Sequence, residues 1–239
     1  MKEKVLLIIP AYNEEDNILK TYNTIVEYNK KNKTNYDVIV INDGSRDNTE
    51  NILMDNNINH ITLIHNLGIG GAVQTGYKYA YEHDYDIAIQ FDGDGQHDVR
   101  YVKNLIEPII LEKADFTIGS RYIDKNSSEF KSTLARQMGI KIISWFIKLM
   151  TKKKIYDTTS GFRACNRKVM REFVNSYPIE YPEPVTTTEL LKKGYKVLEV
   201  PVNMHKREGG TSSIRCFKNV YYMINVLLSI FTVSIRRYK

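Results

Sequence analysis

In Ile87-Ala88-Ile89-Gln90-Phe91-Asp92-Gly93-Asp94-Gly95-Gln96-His97-Asp98 a short apolar run passes directly into a turn dense with carboxylates and glycines. An apolar run of this length bounded by turn formers reads as a buried strand, Ile87–Phe91. The strand delivers two carboxylates, Asp92 and Asp94, separated by the small residue Gly93. Together with the amide oxygen of Gln96 they offer hard oxygen ligands to a divalent cation and leave sites for phosphate oxygens, which suits Mg2+ or Mn2+ held with a diphosphate. Asp and Gly also form such turns for conformational reasons alone, so the neighbours of the stretch decide its meaning.

Working outward, the first half repeats one theme: an apolar run, a turn of Gly, Asn and Asp, then a segment with helical periodicity. Further strands are expected at Val5–Ile9, Asp37–Ile41, Ile61–Ile64 and Phe116–Ile118. Helices are expected at about Glu15–Lys30, Asp47–Met54, Gly70–Glu82 and Val99–Glu112. This alternation predicts an α/β fold with a mostly parallel, Rossmann-like sheet flanked by helices. In such sheets ligands bind beyond the carboxyl ends of the strands, and the unusual motifs fall there.

The first strand runs into Pro10-Ala11-Tyr12-Asn13-Glu14-Glu15, which brings an aromatic ring able to stack on a base and a carboxylate able to accept from its N–H groups. Asn13 and Glu15 are also explained by a helix start with Asn13 as cap; Tyr12 is not. The second strand ends in Asn42-Asp43-Gly44-Ser45-Arg46-Asp47-Asn48-Thr49, where Asp47 and Glu50 suit helix capping and Asp43 is the better candidate for a base or ribose contact. Asn66-Leu67-Gly68-Ile69-Gly70-Gly71 lacks the dinucleotide spacing and follows the third strand, so its glycines are assigned to close packing. No phosphate-binding P-loop sequence is present.

The chain has 239 residues, enough for one substantial core, and a formal net charge of +6. Positive charge gathers at the end: from Gly209 onward there is no acid, but there are Arg215, Lys218, Arg236, Arg237 and Lys239. These flank an apolar segment, which favours an anionic membrane surface over nucleic acid. In the last helix Lys218, Tyr222, Asn225, Ser229, Thr232 and Arg236 mark one polar stripe on an otherwise apolar cylinder, read as interfacial, as an oligomer contact, or as a short span. Leu134 to Met150 is apolar, carries Trp145 and is followed by Lys152, Lys153 and Lys154, so it either packs on the sheet or lies on a membrane. Cys165 and Cys216 form no C-x-x-C pair, which points to a reducing compartment. Val5 to Ile9 is too short for a signal-peptide core.

Taken in order, Pro10-Ala11-Tyr12-Asn13-Glu14, Asp43 to Thr49, Asn66 to Gly71, Asp92 to Gln96, Gly119-Ser120-Arg121-Tyr122 and Ser160-Gly161-Phe162-Arg163 resemble glycosyltransferase family 2, and within it the polyprenyl-phosphate or dolichol-phosphate hexose synthases. The resemblance covers about Val5 to Ser213. It implies a GT-A type fold in a catalytic domain of residues 1–213, followed by a basic amphipathic helix at 214–239. It further implies a nucleotide sugar of the UDP-glucose or GDP-mannose type bound with Mg2+ or Mn2+. On the matching positions Pro10, Tyr12, Glu14, Ile41 and Asp43 would hold the nucleoside. Asp92, Gly93, Asp94 and Gln96 would handle metal and diphosphate, and Arg121 and Arg207 would contact phosphates. Arg163 would do the same or pair with Asp157. Where the mannose synthases carry a lysine, six residues after Arg207, this chain has Ser213, so their donor specificity is not carried over.

Two acceptors follow from chemistry. A polyprenyl phosphate arrives ionised and needs no protein base; a saccharide hydroxyl, as in polysaccharide synthesis, needs one. Glu183, in Tyr181-Pro182-Glu183-Pro184, is the candidate base, with orientation of an acceptor loop or an arginine as its other role. The expectation is an inverting hexosyltransferase, peripheral on the cytoplasmic face of the membrane, with the last helix able to pair with a copy of itself. A non-catalytic nucleotide-sugar-binding subunit is disfavoured by the intact Asp92/Asp94 pair.

Overall fold

The computed structural model describes residues 3–123, 134–204 and 216–238. Strand β1 (Val5–Ala11) is buried along its whole length, and its alternation sorts the side chains between two cores. Leu7 and Ile9 enter one, Leu6 and Ile8 the other. Only a central strand covered on both faces reads as a continuous apolar run. Each of these fully buried side chains contributes about 2 kcal/mol.

Around β1 lie β2 (Tyr36–Asn42), β3 (His60–Thr62), β4 (Ile87–Gln90), β5 (Phe116–Ser120), β6 (Arg163–Asn166) and β7 (Val197–Pro201), in the order β3-β2-β1-β4-β6-β5-β7. β3, β2, β1 and β4 are parallel, β5 and β7 are parallel to each other, and β6 is antiparallel to both β4 and β5. Helices α1 (Ile18–Asn32), α2 (Thr49–Asp55) and α4 (Val102–Ile110) cover the face of Leu7. Helices α3 (Gly68–Glu82), α5 (Leu134–Thr151), α6 (Arg167–Asn175), α7 (Pro182–Lys192) and α8 (Cys216–Ile235) cover the face of Leu6. Gly76 lets α3 lie directly on β1, since a Cβ there would overlap Ile8. The mostly parallel, helix-flanked sheet is the predicted one.

Local boundaries differ for identifiable reasons. Asn13 does not cap α1: it takes a positive φ of 55° and faces the next loop, and α1 starts after Asn17. The third strand stops at Thr62, leaving Ile64 91% exposed in the loop that climbs to α3. Tyr181 to Pro184 forms the entry to α7, where Tyr181 adopts a left-handed conformation and Pro182 occupies the first helical position, which suits its fixed φ. In α8, Val226 and Ile230 join the second core. Among the described residues no helix is long and apolar enough to cross a membrane.

Candidate active site

A cleft of about 640 Å³ opens at the carboxyl ends of β1, β2, β4 and β5. Pro10, Tyr12 and Glu14 reach it from β1, Asp43 from β2, Asp92, Gly93, Asp94 and Gln96 from β4, and Arg121 from β5. Glu183 closes it from the first turn of α7. Ile41 is the exception among the predicted nucleoside contacts: its side chain is wholly buried in the core beneath β2. Arg207 lies outside the described residues, as do Ser213 and Arg215.

The loops on the β1–β3 side are stitched together by backbone-to-side-chain hydrogen bonds. The Asn13 N–H donates to Ser45 Oγ (2.9 Å), and Asn13 Oδ1 accepts from the Arg46 N–H (2.8 Å). The Glu14 N–H donates to Thr49 Oγ1 (2.9 Å) and the Glu15 N–H to Asp47 (3.1 Å), while Glu15 accepts from the Asn48 N–H (2.9 Å). Asp43 accepts from the Leu67 N–H at 2.7 Å. Burial holds its carboxyl above the usual range, and the N–H groups of Leu67 and Gly68 offset part of that. Asp43 therefore lines the cleft with one oxygen already committed to the entry of α3. Tyr12 stands 44% exposed at the rim, an available stacking surface.

Beneath the Asp92–Gln96 turn sits an aromatic cluster that no local sequence pattern announces. His97 stacks on Phe162 with centroids 4.6 Å apart, and Phe91 meets both rings edge-on at 5.5 Å. The Asp92 N–H donates to His97 Nδ1 at 2.9 Å, so the neutral ring carries its proton on Nε2, 3.4 Å from Asp92 Oδ2. Burial pushes the His97 pKa down, outweighing the attraction of Asp92 and Asp94. Thr21 of α1 holds the turn from the other side by donating to the Gly93 carbonyl (2.9 Å). Gly161 crosses so close that a Cβ there would lie 2.9 Å from Asp92 Oδ2.

Asp92, Asp94 and Gln96 supply hard oxygen donors, and the buried Oε1 of Gln90, beside Asp92, has no hydrogen-bond partner. Among the described residues no cluster of three or more Asp, Glu, His and Cys surrounds a common point. An incomplete oxygen set of this kind fits a Mg2+ or Mn2+ ion that shares its coordination with a diphosphate, rather than a closed structural site.

The two arginines behave differently. Arg121 is gripped by the fully buried Asp157, with Nε and one terminal nitrogen on separate carboxylate oxygens at 2.7 and 2.8 Å. Such a fork fixes the plane of the guanidinium. Asp157 is in turn held by β7, because Glu199 accepts from the Asp157 N–H (2.7 Å) and the Tyr156 N–H (2.8 Å). Arg163 does not pair with Asp157, whose oxygens are taken by Arg121, and it does not line the cleft. It is 1% exposed and donates to the Ser160 carbonyl (2.6 Å) and Thr186 Oγ1 (3.0 Å). Arg163 pairs in register with Gln90 of β4, and its hydrogen bond to Thr186 places the side chain in the layer under α7. There it offsets part of the burial effect that raises the Glu183 pKa.

Comparison with known proteins bears on this arrangement. A family model described as "Glycosyl transferase family 2" matches residues 6–174. A UDP-N-acetylglucosamine–dolichyl-phosphate N-acetylglucosaminyltransferase of Methanococcus voltae is 32% identical, over 94% of this chain and 96% of its own length. An undecaprenyl-phosphate mannosyltransferase of Micrococcus luteus is 27% identical, over 88% of this chain and 87% of its own. The solved glucosyl-3-phosphoglycerate synthase of Mycobacterium tuberculosis, bound to Mn2+, UDP and phosphoglyceric acid, superposes with a TM-score of 0.69 at 15% identity, covering 99% of this chain and 80% of that one. At that identity the likeness shows the fold, and the fold is the one the cleft is built on.

Proposed function

The chain belongs to glycosyl transferase family 2, and from that membership we propose that it moves a hexose, with inversion, from a uridine diphosphate sugar to a polyprenyl phosphate at the cytoplasmic face of a membrane. The observation that carries this reading is the single cleft in which Asp92, Asp94 and Gln96 meet Tyr12, Arg121 and Glu183. The Methanococcus relative, named for a UDP sugar and a dolichyl phosphate, supports the donor and acceptor classes. The Micrococcus relative supports a polyprenyl phosphate acceptor. Guanosine diphosphate mannose is the next donor to try, and the paucity of cysteine fits a reducing, cytoplasmic setting.

Tyr12 stacks on the base, and Pro10, Glu14 and Asp43 line its slot. Asp92, Asp94 and Gln96 would hold Mg2+ or Mn2+, which when bound would stabilise the negative charge growing on the departing diphosphate. Arg121, oriented by Asp157, presents a fixed donor plane to phosphate oxygens. Transfer is an in-line displacement at the anomeric carbon: the acceptor oxygen forms the new bond on one face as the bond to the nucleoside diphosphate breaks on the other. A lipid phosphate is already ionised near neutral pH and yields no proton in this step. Glu183 then orients the acceptor rather than deprotonating it.

A second reading, transfer to a saccharide hydroxyl in cell-surface polysaccharide synthesis, is favoured by one observation: Glu183 lines the cleft with its pKa raised by burial, as a general base would need. The purified chain, Mn2+, a short-chain polyprenyl phosphate and a panel of UDP-glucose, UDP-N-acetylglucosamine and GDP-mannose test the assignment, with products weighed by mass spectrometry. A glycosyl polyprenyl phosphate is expected from a uridine donor, and its absence with every donor overturns the proposal. Glu183→Gln is expected to stay within about threefold of wild-type turnover. A fall of about 100-fold or more is the signature of a lost general base and selects the hydroxyl reading.

A further inference from the structure

α5 and α8 lie side by side outside the second core. Ile143 and Ile147 of α5 and Val226 and Ile230 of α8 turn inward. At their contact a Cβ on Gly139 would sit 3.5 Å from Met223 Sδ. What the helices turn outward is apolar too. On α5, Met138, Ile142, Trp145 and Leu149 are between 42 and 64% exposed. On α8, Tyr221, Ile224, Leu228, Phe231 and Ile235 are between 46 and 68% exposed. Both sets advance by alternating steps of three and four, so each forms a single stripe. Two adjacent stripes of large apolar side chains exceed what a chain surrounded by water presents by chance.

The polar positions Asn225, Ser229, Thr232 and Arg236 of α8 border the stripe on the side of α7, where with Tyr221, Leu228, Glu180 and Glu189 they line a groove of about 440 Å³. The charged rim that the two helices give the apolar face has one sign. Lys141 and Lys148 flank the α5 stripe, Lys152, Lys153 and Lys154 follow its end, and Arg237 follows that of α8. Residues 134–154 and 216–239 contain no acid at all.

We propose that the joint α5–α8 face lies flat on an anionic lipid surface. This deepens the polyprenyl phosphate reading of the cleft and rests on it for its purpose. A second copy of the chain docked on the same face would bring basic rim against basic rim with no acid on either helix to pair it. An anionic bilayer complements that rim, and large apolar side chains beside lysines are the composition that settles at a headgroup boundary. Position agrees. Arg136, in the first turn of α5, lines the cleft, and Tyr222, early in α8, packs edge-on against Tyr181 at 4.8 Å, two residues before Glu183. α5 therefore starts at the cleft, α8 packs beside the entry of the helix that carries Glu183, and a bilayer beneath the face meets the mouth of the cleft, where a lipid phosphate is presented.

Trp145 is the single tryptophan of the chain, so its fluorescence reports on this face alone. Mixing the full chain with phosphatidylglycerol/phosphatidylethanolamine vesicles is expected to shift its emission to the blue and carry the protein down with the vesicles. Pure phosphatidylcholine vesicles are expected to bind far more weakly. Replacing Lys152, Lys153 and Lys154 together by Gln is expected to weaken binding to anionic vesicles on the order of a hundredfold, at about fivefold per charge. Leu149→Glu with Phe231→Glu is expected to remove the blue shift while transfer to a short-chain acceptor in detergent keeps its wild-type rate. Equal binding to neutral and anionic vesicles overturns the proposal, as does a lipid-independent dimer with Trp145 already shielded. Vesicle binding without sugar transfer to any acceptor supports this face and overturns the reading of the cleft instead.

Discussion

The two sides of the cleft are held by different chemistry. On the β1–β3 side the loops carrying Tyr12, Glu14 and Asp43 are joined by neutral or singly charged contacts between backbone N–H groups and short side chains, Asn13 to Ser45 and Arg46, Glu14 to Thr49, Asp43 to Leu67. On the β5–β7 side a buried ion pair, Arg121 with Asp157, is added to the backbone N–H groups of Tyr156 and Asp157 that donate to Glu199. The first arrangement fixes backbone and leaves Tyr12, Glu14 and Asp43 lining the cleft; the second fixes a charge. A donor site needs a shaped slot, whereas phosphates need an aimed cation, and the contrast follows that division.

The largest test of the contrast is Asp157→Ala. It leaves the Arg121 guanidinium buried without its counter-charge and is expected to cost about 3–5 kcal/mol, read as a fall in the denaturant midpoint. A loss under about 1 kcal/mol would mean that the pair is solvated and aims nothing.

Gly161→Ala probes where the two sides touch. The added Cβ would press on Asp92, and a displaced carboxylate is expected to lower transfer by about a hundredfold with little change in unfolding midpoint. Wild-type turnover would show that the position of Asp92 is not critical.

Thr49→Val sharpens the neutral side. It removes the hydroxyl that accepts from the Glu14 N–H and donates to Asp47 at 2.6 Å, for an expected cost of about 1–2 kcal/mol in urea unfolding.

Glu172→Gln gives the contrast away from the cleft, where Lys193 bridges Glu172 and Glu189, with about 1 kcal/mol expected at pH 7. The Lys193 hydrogen bond, reinforced by Tyr195 against burial, holds the Glu172 carboxyl below its usual range. The unfolded chain therefore binds this proton more readily than the folded one. The contribution is complete above the unfolded pKa and is lost as pH falls through the folded one. Wild type and variant should converge in acid; a constant gap from pH 7 to pH 3 would assign the effect to packing.

These contrasts explain what could be read from the amino-acid order. Val5–Ile9 and Ile87–Phe91 announce themselves because a central parallel strand is apolar on both faces, and turns beyond such strands place Tyr12, Asp43 and Asp94 at one edge. β6 and β7 gave no such signal. Arg163-Ala164-Cys165-Asn166 carries a buried charge, and Val197 to Pro201 is an edge strand with Glu199 among its residues. The family resemblance implies a phosphate contact or an Asp157 pair for Arg163, whereas its register opposite Gln90 and its hydrogen bond to Thr186 put it under α7. The Arg121–Asp157 pair spans 36 positions, and only folding reveals it. His97 stood in the decisive stretch all along; its stacking on Phe162 depends on a segment far along the chain, with no local pattern to suggest it.

The central claim is that Asp92 and Asp94 hold a divalent cation together with a nucleoside diphosphate. Its most direct test is calorimetric titration of UDP into the wild-type chain and into Asp94→Asn, each with Mn2+ and with chelator. Wild type is expected to bind about a hundredfold more tightly with Mn2+ than without, an effect of the size expected when a cation bridges carboxylate and diphosphate oxygens, and Asp94→Asn to lose that gain. Equal UDP affinity in all four titrations would contradict the account.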